Sequence, residues 1–509
     1  QVGATTRPEA VSFGRRLTDL AQEDPEQTAL IFVAADGTES HFSRQDLDER
    51  SNQIARMFAE RGVEQGSTVV VGLPNCPEHI MSCFATWKLG AMTLPLRAEM
   101  PAIERDAMLD LAAPALVVTD WEDISWPSVN RIQIHQTEVY DDGTLPDRVA
   151  NPGRAMGSGG STGRPKVIIR KGPWAYPPGT FLKIFGPLGF KEGTATSLIP
   201  GPLYHEAPFL SVCAVLFEGR TVILMERFVP ELVLDLIEHH QAHFMTVAPI
   251  MMQRLLDVPD IANRDLSSLI AITHTGAPCA PWLKQAWIDL LGPERITEIY
   301  GGTEGNGYAM NNGVDWLEHP GTVGKPFMAE MRILGEGGEE LPPGEVGRIF
   351  ARSTVAEDIP FEYVGADQAP RIDDFTWIGD LGWIDEDGYV YLADRRTDLI
   401  ISGGANVFAA EVEAALSEHP GVADVVVVGL PDDTWGKRVH AIIQPHETDN
   451  QPAQDDLNAW CRERLSAYKC PKTYEFVAEL PRNEAGKIRR SALAAERKTA
   501  EGAAAPVGG

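Results

Sequence analysis

Short apolar runs alternate with amphipathic stretches along most of the chain. "TALIFV" (28–33) predicts a strand, and "RQDLDERSNQIARMFAERGV" (44–63) a helix with Leu47, Ile54, Met57 and Phe58 on one face. "STVVVGL" (67–73) predicts a buried strand and "EHIMSCFATWKLGA" (78–91) a second helix. "TVILME" (221–226), "HHQAHFMTVAP" (239–249) and "LIAITHTGAP" (269–278) continue the alternation. Apolar strands followed by helices imply an α/β fold, parallel-rich sheets flanked by helices. The texture changes near residue 333. "MRILGEGGEELPPGEVGRIFARS" (331–353) and "GDLGWIDEDGYVYLADRR" (379–396) read as short strands with Gly, Pro and Asp turns, a small β-barrel-like unit.

A last segment begins at residue 397, with strand "LIISGG", helix "AAEVEAALSEH", strands "VADVVVVGLPD" and "RVHAIIQP", and helix "AQDDLNAWCRERLSAY". Three parts are expected: a large N-terminal domain over 1–396, a small α+β C-terminal domain over 397–492, and a disordered tail over 493–509. With 509 residues, 43% hydrophobic and 23% charged, the chain has ample core for such domains. The net charge of −29 argues against nucleic acid as a partner. No apolar run approaches the roughly 18 residues of a membrane span, and no secretory pattern opens the chain. Cys76, Cys83, Cys213, Cys279, Cys461 and Cys470 are scattered without ligand spacing, which fits a reduced, cytoplasmic protein without structural zinc.

Candidate chemistry begins at "GSGGSTGRPK" (157–166). Glycines turn backbone amides toward an anion, while hydroxyls and an ammonium add donors, so the run suits phosphate. It is not a Walker loop, because Arg164 and Pro165 separate Gly163 from Lys166.

Together with "HTGAP" (274–278), "EIYGGTEG" (298–305), "WIGDLGWIDEDGYVYLADRRTDLIISGGANV" (377–407) and "PRNEAGKIRR" (481–490), this loop resembles the adenylate-forming superfamily of acyl-CoA synthetases, adenylation domains and luciferases. The resemblance runs from about residue 10 to 492 and implies ATP and magnesium as cofactors. It implies that Ser158, Gly159, Gly160, Ser161, Thr162, Gly163 and Lys166 hold the ATP phosphates. Tyr300 would stack on adenine above Gly276, Ala277 and Pro278, Thr303 would touch the α-phosphate, and Glu304 would ligate magnesium. Asp380 would accept the ribose hydroxyls, with Arg395 reinforcing ribose or phosphate. Lys487 would serve adenylation alone, withdrawn afterwards by rotation of a mobile C-terminal domain about a hinge at Thr397. Relatives usually carry Asp or Lys at that hinge.

Within the superfamily the chain is most similar to the bile-acid and steroid CoA ligases and to the marinacarboline-type amide bond synthetases. The acid pocket is expected among Tyr204, Phe209, Val247, Ala248, Pro249, His274, Gly301 and Tyr308, a lining suited to an aromatic or heteroaromatic acid. His205 matches a gate between acid pocket and acceptor channel. Glu206 stands where CoA ligases carry Asn, and "NVFAAEVE" (406–413) lacks a Pro of the loop that shapes their pantetheine tunnel. A carboxylate suits an incoming ammonium that must lose a proton. The expected reaction is therefore adenylation of a small-molecule acid, then transfer to an amine with Glu206 as base. The alternative is an acyl-CoA ligase with CoA as acceptor; a non-catalytic nucleotide-binding relative is the third reading.

Overall fold

The computed structural model describes residues 10–159, 165–176, 186, 196–355, 360–395, 399–402, 405–432, 435–448, 450–483 and 486–504. Its largest sheet has a parallel half built from strands Thr28–Val33, Thr221–Met225, Thr196–Ile199, Phe244–Val247, Ala271–His274 and Ile296–Gly301, in that spatial order. A second sheet centres on Thr68–Gly72, flanked by Met92–Pro95 and Leu116–Thr119, and continues into the hairpin Arg154–Gly159 and Pro165–Arg170.

Strand alternation sorts the apolar side chains into layers. Val69 and Val71 join Val222 and Leu224 in one core that holds helices Arg44–Glu60 and Pro77–Lys88 between the two sheets. Val70, Leu94 and Val117 face the other way, onto helix Ala102–Ala112. Ile31, Ile223 and Met245 pack the outer face of the large sheet against helices Pro230–His240, Pro249–Leu256 and Pro281–Leu291. The expected stripe Leu47, Ile54, Met57 and Phe58 is buried in the first of these cores. That helix opens on a capping box between Ser43 and Asp46.

The β-rich segment has its own core, with Val323, Met331, Ile333, Ile349 and Val390 buried together, yet it is continuous with the large sheet. Strands Tyr308–Asn312, Thr322–Phe327, Val390–Arg395, Phe375–Ile384, Gly347–Ser353 and Ala329–Leu334 extend the large sheet without a break. Antiparallel pairing of Tyr308–Asn312 with Ile296–Gly301 makes the join. One element differs from the sequence reading: the chain does not lose structure at 493. Arg490–Ala504 is a helix, because Leu493 is buried with Val426, Val428 and Leu480, and Arg497 holds Glu475 at 2.6 Å. Alanine-rich sequence also favours helix intrinsically.

The C-terminal sheet, strands Ala405–Phe408, Leu399–Ser402, Gly436–Pro445 and Val422–Asp432 with Thr473–Phe476 on Gly436–Pro445, has its own core. The expected boundary and hinge at Thr397 fall outside the described residues. This unit docks on the large one through Arg489 to Glu104 at 2.5 Å, Gln253 Nε2 to Ala423 O at 2.9 Å, and Trp282 Nε1 to Ser417 Oγ at 3.2 Å.

Candidate active site

The hairpin Arg154–Gly159/Pro165–Arg170 sets Ser158 opposite Lys166, Met156 opposite Ile168 and Arg154 opposite Arg170. Side chains two apart share a face, so all three pairs lie on one side of the hairpin. Gly160, Ser161, Thr162 and Gly163 lie outside the described residues. At the Ser158 end of the hairpin, Lys166 Nζ stands 3.4 Å from Glu304 Oε1 and 3.7 Å from the ring centroid of Tyr363. Tyr363 donates its hydroxyl to the same Glu304 oxygen at 2.7 Å. Burial and the Glu304 carboxylate push the Tyr363 phenol up, so it stays a donor. Glu304 offers the hard oxygen that magnesium takes, with Thr303 beside it.

The residues expected to hold the nucleotide gather along the large sheet. Tyr300, near the end of Ile296–Gly301, donates to Asp380 Oδ2 at 2.5 Å. Asp380 and Arg395 are cross-strand partners. Gly276, Ala277 and Pro278 follow strand Ala271–His274 in an accessible turn, with Gly276 at φ +89°.

On the acid side, His205 caps helix Glu206–Phe217, and its ring meets that of Tyr204 with centroids 4.4 Å apart. Burial, with Lys487 and Arg97 nearby, lowers the His205 pKa to about 3, so the imidazole is neutral. Its Nε2 is buried without a hydrogen-bond partner among the described residues. Glu206 Oε1 lies 2.7 Å from Arg154 Nη2, with side chains 13% and 5% exposed. The approach is misaligned for a hydrogen bond, so both Glu206 oxygens and Arg154 Nε and Nη1 stay unsatisfied among the described residues. Tyr308 covers Gly301, where a Cβ would come within 2.3 Å of its Cδ1. Burial raises the Tyr308 phenol, against the pull of Arg170 beside it.

Lys487 follows Gly486 in a turn seated on the large unit. Gly486 has φ +72°, and a Cβ there would lie 2.3 Å from Ile250 Cγ2, so only glycine permits this approach. Lys487 is among the charges depressing His205, so the turn lies on the His205 side of the large unit.

Three expected pocket residues are placed otherwise. Phe209 is 3% exposed and packs edge-on against Trp87, because the inward face of its helix points to the core. Val247 is likewise buried in the core behind the large sheet. His274 is fully buried, with Nδ1 4.0 Å from Glu298, and burial lowers its pKa to about 4. Glu298 in turn pairs with Lys284 and accepts from Asn311. Pro249 is buried and Ala248 half-buried at the start of their helix. The Glu206 carboxylate, expected to face an amine, instead faces Arg154. Arg97, Arg154, Arg170 and Tyr363 were not foreseen. Alternation was the available signal: Arg170 shares a face with Lys166 across "KVIIR".

The AMP-binding enzyme family profile matches residues 17–356, and that of the AMP-binding enzyme C-terminal domain matches 411–487. The chain belongs to this family and is an ATP-dependent, AMP-forming acid ligase. It is 32% identical over 458 residues to a feruloyl-CoA synthase of Amycolatopsis sp, covering 87% of this chain and 91% of that one. A 2-succinylbenzoate–CoA ligase of Bacillus licheniformis is 30% identical over 471 residues, covering 88% and 93%. The solved o-succinylbenzoate CoA synthetase of Bacillus subtilis with its acyl-adenylate intermediate superposes with a TM-score of 0.81 at 27% identity, covering 94% and 97%. The same synthetase has been solved with ATP and a magnesium ion. These named relatives are thioester-forming ligases, so the expectation of an amine acceptor and an amide product finds no support among them. No described helix is long and apolar enough to cross a membrane.

Proposed function

We propose that the protein is an acyl-CoA ligase for an aromatic carboxylic acid. The thioester ligases named above support the acceptor, and their feruloyl and succinylbenzoyl substrates support the aromatic class. The observation that carries the reading is the Lys487 turn seated on Ile250 beside a neutral His205, with Lys166 paired to Glu304 in the same domain.

In the first half-reaction a carboxylate oxygen attacks the α-phosphorus of ATP, the α–β phosphoanhydride bond breaks, and pyrophosphate leaves. Two anions must meet, so the chain's cations do the principal work. Lys166, Ser158 and residues 159–163 hold the polyphosphate, and Lys487 stabilises the charge gathering between carboxylate and α-phosphate, with Thr303 as a donor there. Glu304 would hold magnesium, which would supply neutralising charge at the phosphates. Tyr300 flanks the adenine above Gly276–Pro278, and Asp380 exchanges its Tyr300 hydrogen bond for the ribose, assisted by Arg395.

In the second half-reaction the sulfur of CoA attacks the acyl carbonyl, AMP departs, and the thiol proton is released to solvent. His205, uncharged and adjoining both Tyr204 and Lys487, gates the route to the acyl group. The C-terminal unit withdraws Lys487 for this step, turning about Thr397. The test is steady-state AMP release with ATP, magnesium and cinnamate-type acids. CoA should accelerate it at least ~10-fold, as release of a tightly held adenylate otherwise limits turnover. AMP release indifferent to CoA would contradict the reading.

A further inference from the structure

The acid side of the site carries more positive charge than adenylation of a simple acid explains. Arg154 and Arg170 face each other across the hairpin, four residues along each strand from Ser158 and Lys166. At about 3.3 Å per residue their backbones stand ~13 Å from the phosphate end. Arg170 donates to the Glu304 carbonyl oxygen and lies against Gly305; burial lowers its pKa, and Arg154 adds to that. Two carboxylates, Glu206 and Glu304, act on Arg170, and Glu304 is also the partner of Lys166, so three cations face two carboxylates. Arg154 is 5% exposed, with Nε and Nη1 unsatisfied, and Trp174 covers its guanidinium at 4.9 Å. Buried, unpaired donors of this kind are costly unless a ligand completes them. Glu206 keeps Arg154 in place, and Tyr308, flanked by Arg170 and Glu206, closes the group beside Gly301.

Building on the acid-ligase reading, we propose that the acid this enzyme activates carries a second anionic oxygen group, which Arg154 and Arg170 bind while Glu206 orients them. The reacting carboxylate lies at Lys487 and His205; the second group sits beyond Glu206, where Arg154 Nε and Nη1 donate to it. A guanidinium presents a planar fork of donors that matches a carboxylate or sulfonate.

The test is ATP–pyrophosphate exchange by the full chain with a matched series: 3- and 4-carboxycinnamate, 4-hydroxycinnamate and 4-methylcinnamate. A carboxy isomer should exceed the methyl compound in kcat/KM by ~10-fold or more, since a site with buried donors rejects a ligand that leaves them unpaired. Arg154→Met and Arg170→Met should each lower that ratio by about tenfold, and Arg154→Lys should keep part of it. Equal or better use of the methyl or hydroxy compound by the unaltered enzyme would overturn the proposal without any variant. A raised KM for ATP with an unchanged ratio in the Met variants would also overturn it, assigning the pair to the nucleotide. Exchange with none of these acids, nor with cinnamate, would bring down the aromatic-acid reading itself and this inference with it.

Discussion

Tyr363 donates its hydroxyl to Glu304 Oε1 at 2.7 Å while its ring carries the Lys166 ammonium 3.7 Å from the centroid. One side chain thereby aligns both the carboxylate and the cation of the phosphate end. Partners that orient a metal-binding carboxylate commonly affect metal affinity 10- to 100-fold. Tyr363→Phe should raise the magnesium concentration for half-maximal pyrophosphate exchange by about tenfold. A magnesium titration at fixed ATP checks this; an unchanged midpoint would leave Tyr363 a packing residue only.

Lys487 reaches the His205 side of the large unit only because Gly486 lets the turn settle on Ile250. Lys487→Ala should slow adenylation by ~100- to 1000-fold, the scale of removing one preorganised charge donor. Thioester formation from supplied acyl-adenylate and CoA should fall less than about threefold, because the withdrawn lysine has no part in it. Single-turnover measurement of each half-reaction distinguishes this from a general loss, in which both would fall together.

Lys88 and Asp48 form a pair 2.6 Å apart with side chains 3% and 10% exposed, and Asn52 Oδ1 takes a further hydrogen bond at 2.6 Å. Burial pushes the Lys88 pKa down to about 8, opposed by Asp48. Removing one partner of such a pair leaves an uncompensated charge, so Asp48→Ala should lower unfolding free energy by ~3–5 kcal/mol in urea titrations. Adding Lys88→Met should recover part of that loss; additive losses would contradict the charge argument.

Burial lowers the pKa of His79 and His274 to about 4, and that of His205 to about 3. Each is neutral when folded but protonates near 6.5 when unfolded, so the unfolded chain binds more protons below that pH. Stability therefore falls as pH drops from 6.5 toward 5, with a slope from these three groups approaching ~4 kcal/mol per pH unit. Denaturant midpoints across this interval measure it. A flat profile would mean that these rings are not buried as neutral groups.

The division between what could be read in advance and what could not follows the range of the interactions. "GSGGSTGRPK" and "EIYGGTEG" lie far apart in sequence, yet local spacing singled out Lys166 with Glu304 and Tyr300 with Asp380, and the structure brings each pair together. The alternating strands and the face of helix Arg44–Glu60 were legible from periodicity. Tyr363 was not, because it reaches Glu304 only through pairing of Phe361–Val364 with Pro165–Arg170, nearly two hundred residues away in sequence. The Arg154–Glu206 contact is tertiary in the same way, which is why Glu206 looked free to serve an amine. Phe209 and Val247 were assigned to the pocket because a motif gives neighbourhood, not the direction a side chain takes from a helix or strand. The helix through Arg490–Ala504 needed the apolar surface of strand Val422–Asp432, invisible in a polar, alanine-rich tail.

The central claim is the identity of the acyl acceptor, and a competition experiment tests it most directly. The protein, ATP, magnesium and an activated aromatic acid would be given CoA and a primary amine together, with products read by mass spectrometry. The CoA thioester is expected as the enzymatic product, with any amide absent until thioester or free adenylate has accumulated. Amide formed at the same rate with CoA present or omitted, and no thioester, would contradict it and return Glu206 to the role of base.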